Sequence, residues 1–177
     1  AAPAPVAALF AVMTKVGAYC VIRASTLVFG AEAGAAAQIA APLIVPAALA
    51  TLAVGAAGVL ASRSLADMAC FAVVWSMGSL LVAAGLPGVP GLTAALYYAL
   101  HSTLAGAALF LIADLAAARR GRWRDRLEES PGMAEASLVG GVFFLAAVAM
   151  AGLPPLSGFL GKVMILGAAR DAPAAAW

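Results

Sequence analysis

The protein has 177 residues, of which 65% are hydrophobic and only 10% are charged, and its mean hydropathy is +1.05. Soluble globular domains carry about 25% charged residues, so this composition excludes that class and indicates an integral membrane protein. The net charge of +2 gives no reason to expect a nucleic-acid partner.

Five apolar stretches are long enough to cross a bilayer, whose hydrocarbon core of about 30 Å takes about 20 helical residues. They cover approximately residues 6–29, 42–61, 68–85, 92–117 and 137–169. Residues 86–91 are rich in glycine and proline, which predicts a tight link between the third and fourth spans. The sequence therefore predicts an all-α fold, a polytopic transmembrane helix bundle with five membrane segments.

The fifth stretch carries the strongest indication of irregular backbone. Its roughly 33 residues would form a helix about 50 Å long, which is too long for one straight crossing. Pro154 and Pro155 lie inside it, and neither nitrogen can donate the hydrogen bond that a helix needs. Such backbone is tolerated at membrane depth only where protein or water surrounds it. We therefore predict that the last segment is discontinuous at Pro154-Pro155.

The positions of the arginines predict the orientation of the spans. Arg63 lies between the second and third spans, and five more arginines follow the fourth span, within residues 119–126. These two loops share one side if every span crosses once, and the loops with Glu32 and Pro87 lie on the other. Because cytoplasmic loops carry an excess of Lys and Arg, we place the arginine-rich loops in the cytoplasm. Binding of lipid head groups or of a partner subunit is the alternative role for these arginines.

The stretch from residue 118 to residue 133 is the longest polar one, and it predicts a short surface helix that ends near residues 130–132. The chain begins with alanine and stops just after a helical segment. We expect residues 1–177 to form a single membrane domain that is part of a longer polypeptide.

Motifs of enzymes and metal sites do not occur in the sequence. There is no phosphate-binding glycine loop, no paired-histidine metal motif and no nucleophile elbow. Cys20 and Cys70 lie in separate apolar stretches without metal-ligand spacing, and we expect both to be small buried hydrophobes. We therefore predict no catalytic residue, no cofactor and no metal site.

Three ionisable side chains fall at mid-membrane depth on three different spans: Lys15, His101 and Lys162. An ammonium group at the centre of a membrane helix costs about 2.5–3.5 kcal/mol, so such residues mark ion or proton pathways. Burial favours the neutral form of an amine, and imidazole changes charge near neutral pH, so both can exchange protons. Alternatively, the lysines snorkel to the head groups and His101 packs in the core. We favour proton transfer, because Lys15 is about ten residues from either end of its span.

Hydroxyl groups and an arginine could assist this transfer. Asp114, near the end of the fourth span, is the carboxylate closest to these groups, so no counter-ion for the lysines is expected within this stretch. Arg23 lies near the outer end of the first span, where it either anchors to head groups or completes an exit path. The predicted supporting residues are Arg23, Ser76, Ser102, Ser157 and Tyr97.

Three segments of the sequence resemble one family of membrane proteins. They are APV followed by TKVG at residues 14–17 and Arg23, YYALHS at residues 97–102 followed by FLIAD, and AGLPPLSGFLGK at residues 151–162. Together they resemble the proton-conducting transporter family, which comprises antiporter-like subunits of respiratory complex I and of Mrp-type multisubunit cation/proton antiporters. The TKVG and LPPLSGF segments are most similar to the corresponding segments of the D subunits of Mrp antiporters.

The resemblance implies a fold and roles for the three ionisable residues. A subunit of this family has about fourteen helices in inverted repeats, two of them discontinuous, and this chain would cover the eighth to the twelfth. Lys15 would match the central lysine of the eighth helix, His101 a relay histidine, and Lys162 the lysine of the broken twelfth helix. The family's glutamate–lysine pair on its fifth and seventh helices would precede Ala1.

The resemblance also implies a function and a location. It indicates a subunit of a monovalent cation (Na⁺)/proton antiporter that is not an enzyme, multi-pass in the bacterial inner membrane, within a hetero-oligomeric complex of membrane subunits. One alternative is a proton-pumping, non-redox subunit of NADH-quinone oxidoreductase or of a related membrane hydrogenase. A second alternative is a non-transporting scaffold for partner subunits.

Overall fold

The computed structural model describes residues 4–28, 35–129 and 135–172. Over these ranges the chain is helical and contains no strand, which confirms the all-α class. The six α-helices are α1 (Ala4–Arg23), α2 (Ala35–Ala61), α3 (Leu65–Gly85), α4 (Gly88–Arg119), α5 (Ala136–Ala151) and α6 (Ser157–Arg170). A π-helical turn (Ala24–Val28) extends α1, and a 3₁₀ turn (Gly121–Trp123) follows α4.

Three of the described helices are long and apolar enough to cross a membrane: Leu43–Ala61 within α2, all of α3, and all of α4. The expected second span, residues 42–61, agrees with Leu43–Ala61, although helix α2 itself extends back to Ala35. One predicted boundary was wrong. The link between α3 and α4 is only Leu86 and Pro87, because Gly88 and Pro90 form the first turn of α4, where a proline loses no helical hydrogen bond.

The discontinuity of the last segment is confirmed. Helix α5 ends at Ala151 and α6 begins at Ser157, on either side of the two prolines. Both run antiparallel to α4: Ala149 and Gly158 lie beside His101, and Gly161 lies beside Tyr98. With 16 and 14 residues, α5 and α6 are about 24 Å and 21 Å long. Each is therefore shorter than the bilayer core, and the two cross it together.

Helix α4 is the centre of the bundle, and α1, α3, α5 and α6 all pack against it. Helix α2 packs closely against α3 through small residues, as membrane helices commonly do. A Cβ atom at Gly55 would overlap the backbone of Trp75, and one at Gly78 would overlap the backbone of Leu52. This close approach fixes the position of α3, which carries two residues of the site described below.

The two arginine-rich loops meet at one end of the bundle. Leu65 N–H donates to Asp125 O at 2.8 Å, and Leu127 N–H donates to Arg63 O at 3.0 Å. The Asp125 carboxylate also accepts from Ala66 N–H at 3.2 Å, in the first turn of α3. The predicted surface helix is only the 3₁₀ turn, and its predicted end at residues 130–132 lies outside the described residues, as does Glu32.

Cysteine burial was predicted wrongly. Cys20 and Cys70 are both exposed, because they lie on faces of α1 and α3 that point away from the other described helices. Many large apolar side chains of these and other helices share that outward orientation. Such a surface suits lipid tails or neighbouring membrane subunits.

The N-terminal cap of α3 leads to a first prediction. Ser64 Oγ accepts a hydrogen bond from Asp67 N–H at 3.0 Å. Loss of such a cap costs about 1 kcal/mol, so Ser64→Ala should lower the unfolding free energy of the detergent-solubilised protein by that amount. Thr51→Ala is the control, since the exposed Thr51 hydroxyl donates only to Ala47 O of its own helix and should have little effect. Equal destabilisation by both variants would contradict the prediction.

Candidate functional site

Lys15 points into the bundle. Its side chain is buried, with 8% exposure, and Nζ donates to Ser76 Oγ on α3 at 2.7 Å. The Ser76 hydroxyl in turn donates to Val73 O at 2.8 Å. The ion pairs Arg119–Glu135 and Arg126–Glu128 both lie outside the core. Lys15 therefore faces a neutral hydroxyl and no described carboxylate.

The break after α5 leaves backbone carbonyls without helical partners, as any helix end does. Gly152, at φ 75°, closes the helix: Val148 O accepts from the N–H groups of Gly152 and Leu153. Ala149 O accepts from Gly152 N–H at 3.2 Å, and both it and Ala151 O also accept from side chains of the predicted site. His101 Nε2 lies 3.0 Å from Ala149 O, and Lys162 Nζ donates to Ala151 O at 2.5 Å. The helix break thus brings His101 and Lys162 to one place.

The contacts of His101 define how its ring holds protons. Because Ala149 O can only accept, Nε2 carries a hydrogen. Nδ1 lies 2.9 Å from Ser157 Oγ. In the neutral ring Nδ1 accepts from this hydroxyl, and in the charged ring it donates to it. Ser157 can therefore stay hydrogen-bonded to His101 in both protonation states of the imidazole.

Lys162 lies in a setting that suits a cation. Its Nζ is 4.0 Å from the centroid of the Trp75 ring, a cation–π geometry. The C-terminus of α5, with its partial negative charge, supplies the carbonyl that Lys162 contacts. Gly152 leaves room for this side chain, since a Cβ there would lie 2.6 Å from Lys162 Cδ. Trp75 and Ser76 are consecutive, so α3 contacts both lysines of the site.

The remaining predicted residues divide into two groups. Tyr97 Oη donates to Ser157 O at 3.3 Å and so adjoins the His101 contacts. Ser102 is fully buried, but its hydroxyl donates to Ala99 O of its own helix at 3.4 Å. Arg23 is the exposed last residue of α1 and lies over the Tyr19 ring at 5.9 Å. Within the described part of the chain, no side-chain hydrogen bond joins Ser102 or Arg23 to Lys15, His101 or Lys162.

A groove of about 330 Å³ opens at His101 and Ser157. Apart from these two side chains, its lining is apolar and comes mostly from α4 and α5, with Leu104, Val142 and Leu145 among the residues involved. The groove gives the His101 ring a route to the surface of the described bundle.

Comparison with known proteins assigns the chain to a family. The family described as NADH:quinone oxidoreductase/Mrp antiporter, TM, matches residues 1–175. The chain belongs to this family. The resemblance predicted from the three sequence segments is thereby confirmed.

Two relatives illustrate which members of the NADH:quinone oxidoreductase/Mrp antiporter family the chain is similar to. It is 39% identical over 193 residues to a protein of Rhizobium meliloti (strain 1021) named as the D subunit of a probable K(+)/H(+) antiporter, covering 99% of the chain and 36% of that protein. It is 32% identical over 167 residues to the D subunit of a Na(+)/H(+) antiporter of Bacillus subtilis (strain 168), covering 93% of the chain and 33% of that protein. The chain spans about a third of the length of these curated relatives.

The sequence did not predict several groups that contact the lysines and the histidine of the candidate site. The carbonyls of Ala149 and Ala151 were foreseeable, because a predicted helix break always frees carbonyls. Trp75 gave no such signal, since an aromatic residue in an apolar span usually packs against lipid or protein. Its contact with Lys162 depends on how α3 is rotated against α6, which the sequence pattern does not define.

Proposed function

We propose that the chain is part of a subunit of a monovalent cation/proton antiporter, and that protons move through it by way of Lys15, His101 and Lys162. Membership of the NADH:quinone oxidoreductase/Mrp antiporter family supports this proposal. The names of the two relatives, one a D subunit of a K(+)/H(+) antiporter and one of a Na(+)/H(+) antiporter, support exchange of potassium or sodium for protons.

The observation that supports the proton route best is that helix α3 contacts both lysines through adjacent residues. Lys15 contacts Ser76, and Lys162 contacts the adjacent Trp75. Lys162 also lies close enough to His101 for the two to interact electrostatically. Each group thus has a polar or aromatic partner on another helix, as expected of a pathway rather than of isolated buried charges.

Coulomb coupling between these groups provides a mechanism for transfer. At an effective dielectric constant of about 20, two unit charges roughly 10 Å apart interact by about 2 kcal/mol. Loss of the proton from one group therefore makes proton binding at its neighbour more than tenfold more favourable. Ser157 can stay hydrogen-bonded to His101 in both charge states, so His101 can load and unload without rearrangement of the break.

The antiporter is favoured over the two alternatives for different reasons. A proton-pumping subunit of NADH-quinone oxidoreductase or of a membrane hydrogenase would use the same local chemistry, but both relatives described above are named as antiporter subunits. A passive scaffold would gain nothing from ionisable groups at bilayer depth, where each lysine costs about 2.5–3.5 kcal/mol.

The setting of the subunit follows from the same observations. We propose that residues 1–177 are one part of a longer membrane domain of about fourteen helices, as in related transporters built from inverted repeats. The outward-facing apolar side chains suit lipid and the other membrane subunits of a hetero-oligomeric complex. In a bacterial inner membrane, the paired arginine-rich loops would lie on the cytoplasmic side.

Substitution of Lys15 tests this proposal. In the full-length subunit within its complex, Lys15→Leu should slow cation/proton exchange at least about tenfold, because the relay loses its proton-binding group opposite Ser76. Exchange is measured in everted vesicles as collapse of a preformed pH gradient when Na⁺ or K⁺ is added.

The matched control is Val16→Leu, at the neighbouring position on the exposed face of α1, which should retain exchange. Complex assembly is checked for both variants. Normal exchange by Lys15→Leu would contradict the proposal. Proton movement that occurs only during NADH or hydrogen oxidation would instead favour the redox-linked alternative.

A further inference from the structure

Tyr98 carries a buried polar atom that packing does not account for. The residue lies on α4 with 0% exposure, and its hydroxyl has no hydrogen-bond partner among the described residues. A buried hydroxyl without a partner is costly, and native proteins contain few of them. Gly161 accommodates the ring, since a Cβ there would lie 2.9 Å from Tyr98 Cδ2. Helix α6 therefore makes room for the Tyr98 ring, while the Tyr98 hydroxyl has no hydrogen-bond partner among the described residues.

The surroundings of this hydroxyl are polar on the α3 side. Ser79 lies close enough to interact with it, although the Ser79 hydroxyl donates to Trp75 O at 3.3 Å and not to Tyr98. Ser76, the partner of Lys15, lies three residues before Ser79 on the same face of α3, which places their Cβ atoms about 5–6 Å apart. A single water with two ordinary hydrogen bonds bridges hydroxyls at about that separation.

Tyr98 also adjoins the second half of the site. His101 lies three residues further along α4, with the two ring centroids 6.0 Å apart. Tyr98 thus adjoins two sides of the site: Ser79, one turn after the Lys15 partner Ser76, and His101, with nearby Lys162. Among the residues that the structure describes, no direct hydrogen bond joins these two sides.

We propose that the Tyr98 hydroxyl binds water shared with Ser79 and Ser76 and passes protons between Lys15 and the His101–Lys162 side. This inference rests on the proposed function. Three hydroxyls supply the two to four hydrogen-bonding groups that a buried water needs. A proton from the shared water binds a lone pair of the phenolic oxygen as the oxygen releases its own to a second water on the His101 side, so that one O–H bond forms, another breaks, and the net charge of Tyr98 is unchanged. A hydroxyl can do this because it both donates and accepts.

The test is Tyr98→Phe in the full-length subunit within its complex. The substitution removes one oxygen and no hydrogen bond within the described protein, so the variant should assemble and its Tm should not fall. Exchange in everted vesicles should nevertheless slow about tenfold or more, as expected when a proton-transfer group is lost. A hydroxyl without a role in transfer would leave exchange within twofold of wild type.

Tyr19→Phe is the control, because it removes a phenolic hydroxyl from an exposed ring of α1 and should leave exchange unchanged. If Tyr98→Phe exchanges like the wild type, the inference about Tyr98 is wrong. If Lys15→Leu is defective in the same assay, the proposed function still stands. Failure of Tyr98→Phe to assemble would also overturn it, since the hydroxyl would then serve packing. Normal exchange by Lys15→Leu would reject the proposed function itself.

Discussion

Replacement of Lys162 with alanine is expected to reduce cation/proton exchange by about a hundredfold or more while the complex still assembles. The ammonium group is held by Ala151 O, at the free end of α5, and by the face of Trp75. Alanine removes the proton-binding group and leaves the helix break, closed by Gly152, in place. Everted vesicles containing the full-length subunit provide the measurement, with exchange followed as cation-dependent collapse of a pH gradient.

Lys162→Arg tests whether residue 162 must release its proton or only needs to carry a positive charge. Arginine can still contact the carbonyl and stack on Trp75, but it stays protonated at any physiological pH. It should therefore preserve assembly and still lose exchange. Exchange that survives in Lys162→Arg would mean that a fixed charge is sufficient, and exchange that survives in Lys162→Ala would mean that this lysine is not on the route.

Gly158→Ala is expected to have the largest effect on the packing of the broken segment. A Cβ at Gly158 would lie 2.7 Å from His101 Nε2 and would overlap Ala149 O. Ala149 O is a backbone atom and the His101 ring is held by two hydrogen bonds, so α6 must move away from α4 and α5. Overpacking of this kind costs about 1–3 kcal/mol, and the shift should also break the His101–Ser157 hydrogen bond. We expect a lower Tm together with loss of exchange.

Gly167→Ala is the matched control on the same helix. Within the described part of the chain, a Cβ at Gly167 would meet nothing within 4 Å. A glycine in a helix costs about 0.5–1 kcal/mol relative to alanine, so this variant should be as stable as the wild type or slightly more stable. Thermal unfolding in detergent compares the two variants, and an equal Tm for both would refute the steric account of Gly158.

The membrane fold was predictable because hydropathy and chain length are physical requirements of a bilayer. The broken segment followed from two prolines in a stretch too long for one crossing. The start of α4 was not predictable from composition alone. Gly88 and Pro90 favour a turn in general, yet the first helical turn needs no N–H donors and so accepts a proline equally well.

The candidate site was predictable in its ionisable groups but not in its contacts. A lysine or histidine in an apolar span is visible in the sequence, whereas its partner depends on helix rotation. Ser76 and Ser102 looked alike as hydroxyls in spans, but only Ser76 faces a lysine, and Ser102 donates to its own helix. Tyr98 lies in the YYALHS segment, but the sequence did not single out its hydroxyl, because the burial of that group depends on how the helices pack.

The adjacency of Trp75 and Ser76 has a mechanical consequence. One residue touches Lys162 and the next touches Lys15, so a tilt or rotation of α3 would alter both amines in the same movement. The start of that helix is joined to the loop after α4 through Asp125. A neighbouring subunit that pulled on this loop would thus affect both ends of the proposed relay at once, without contacting either lysine.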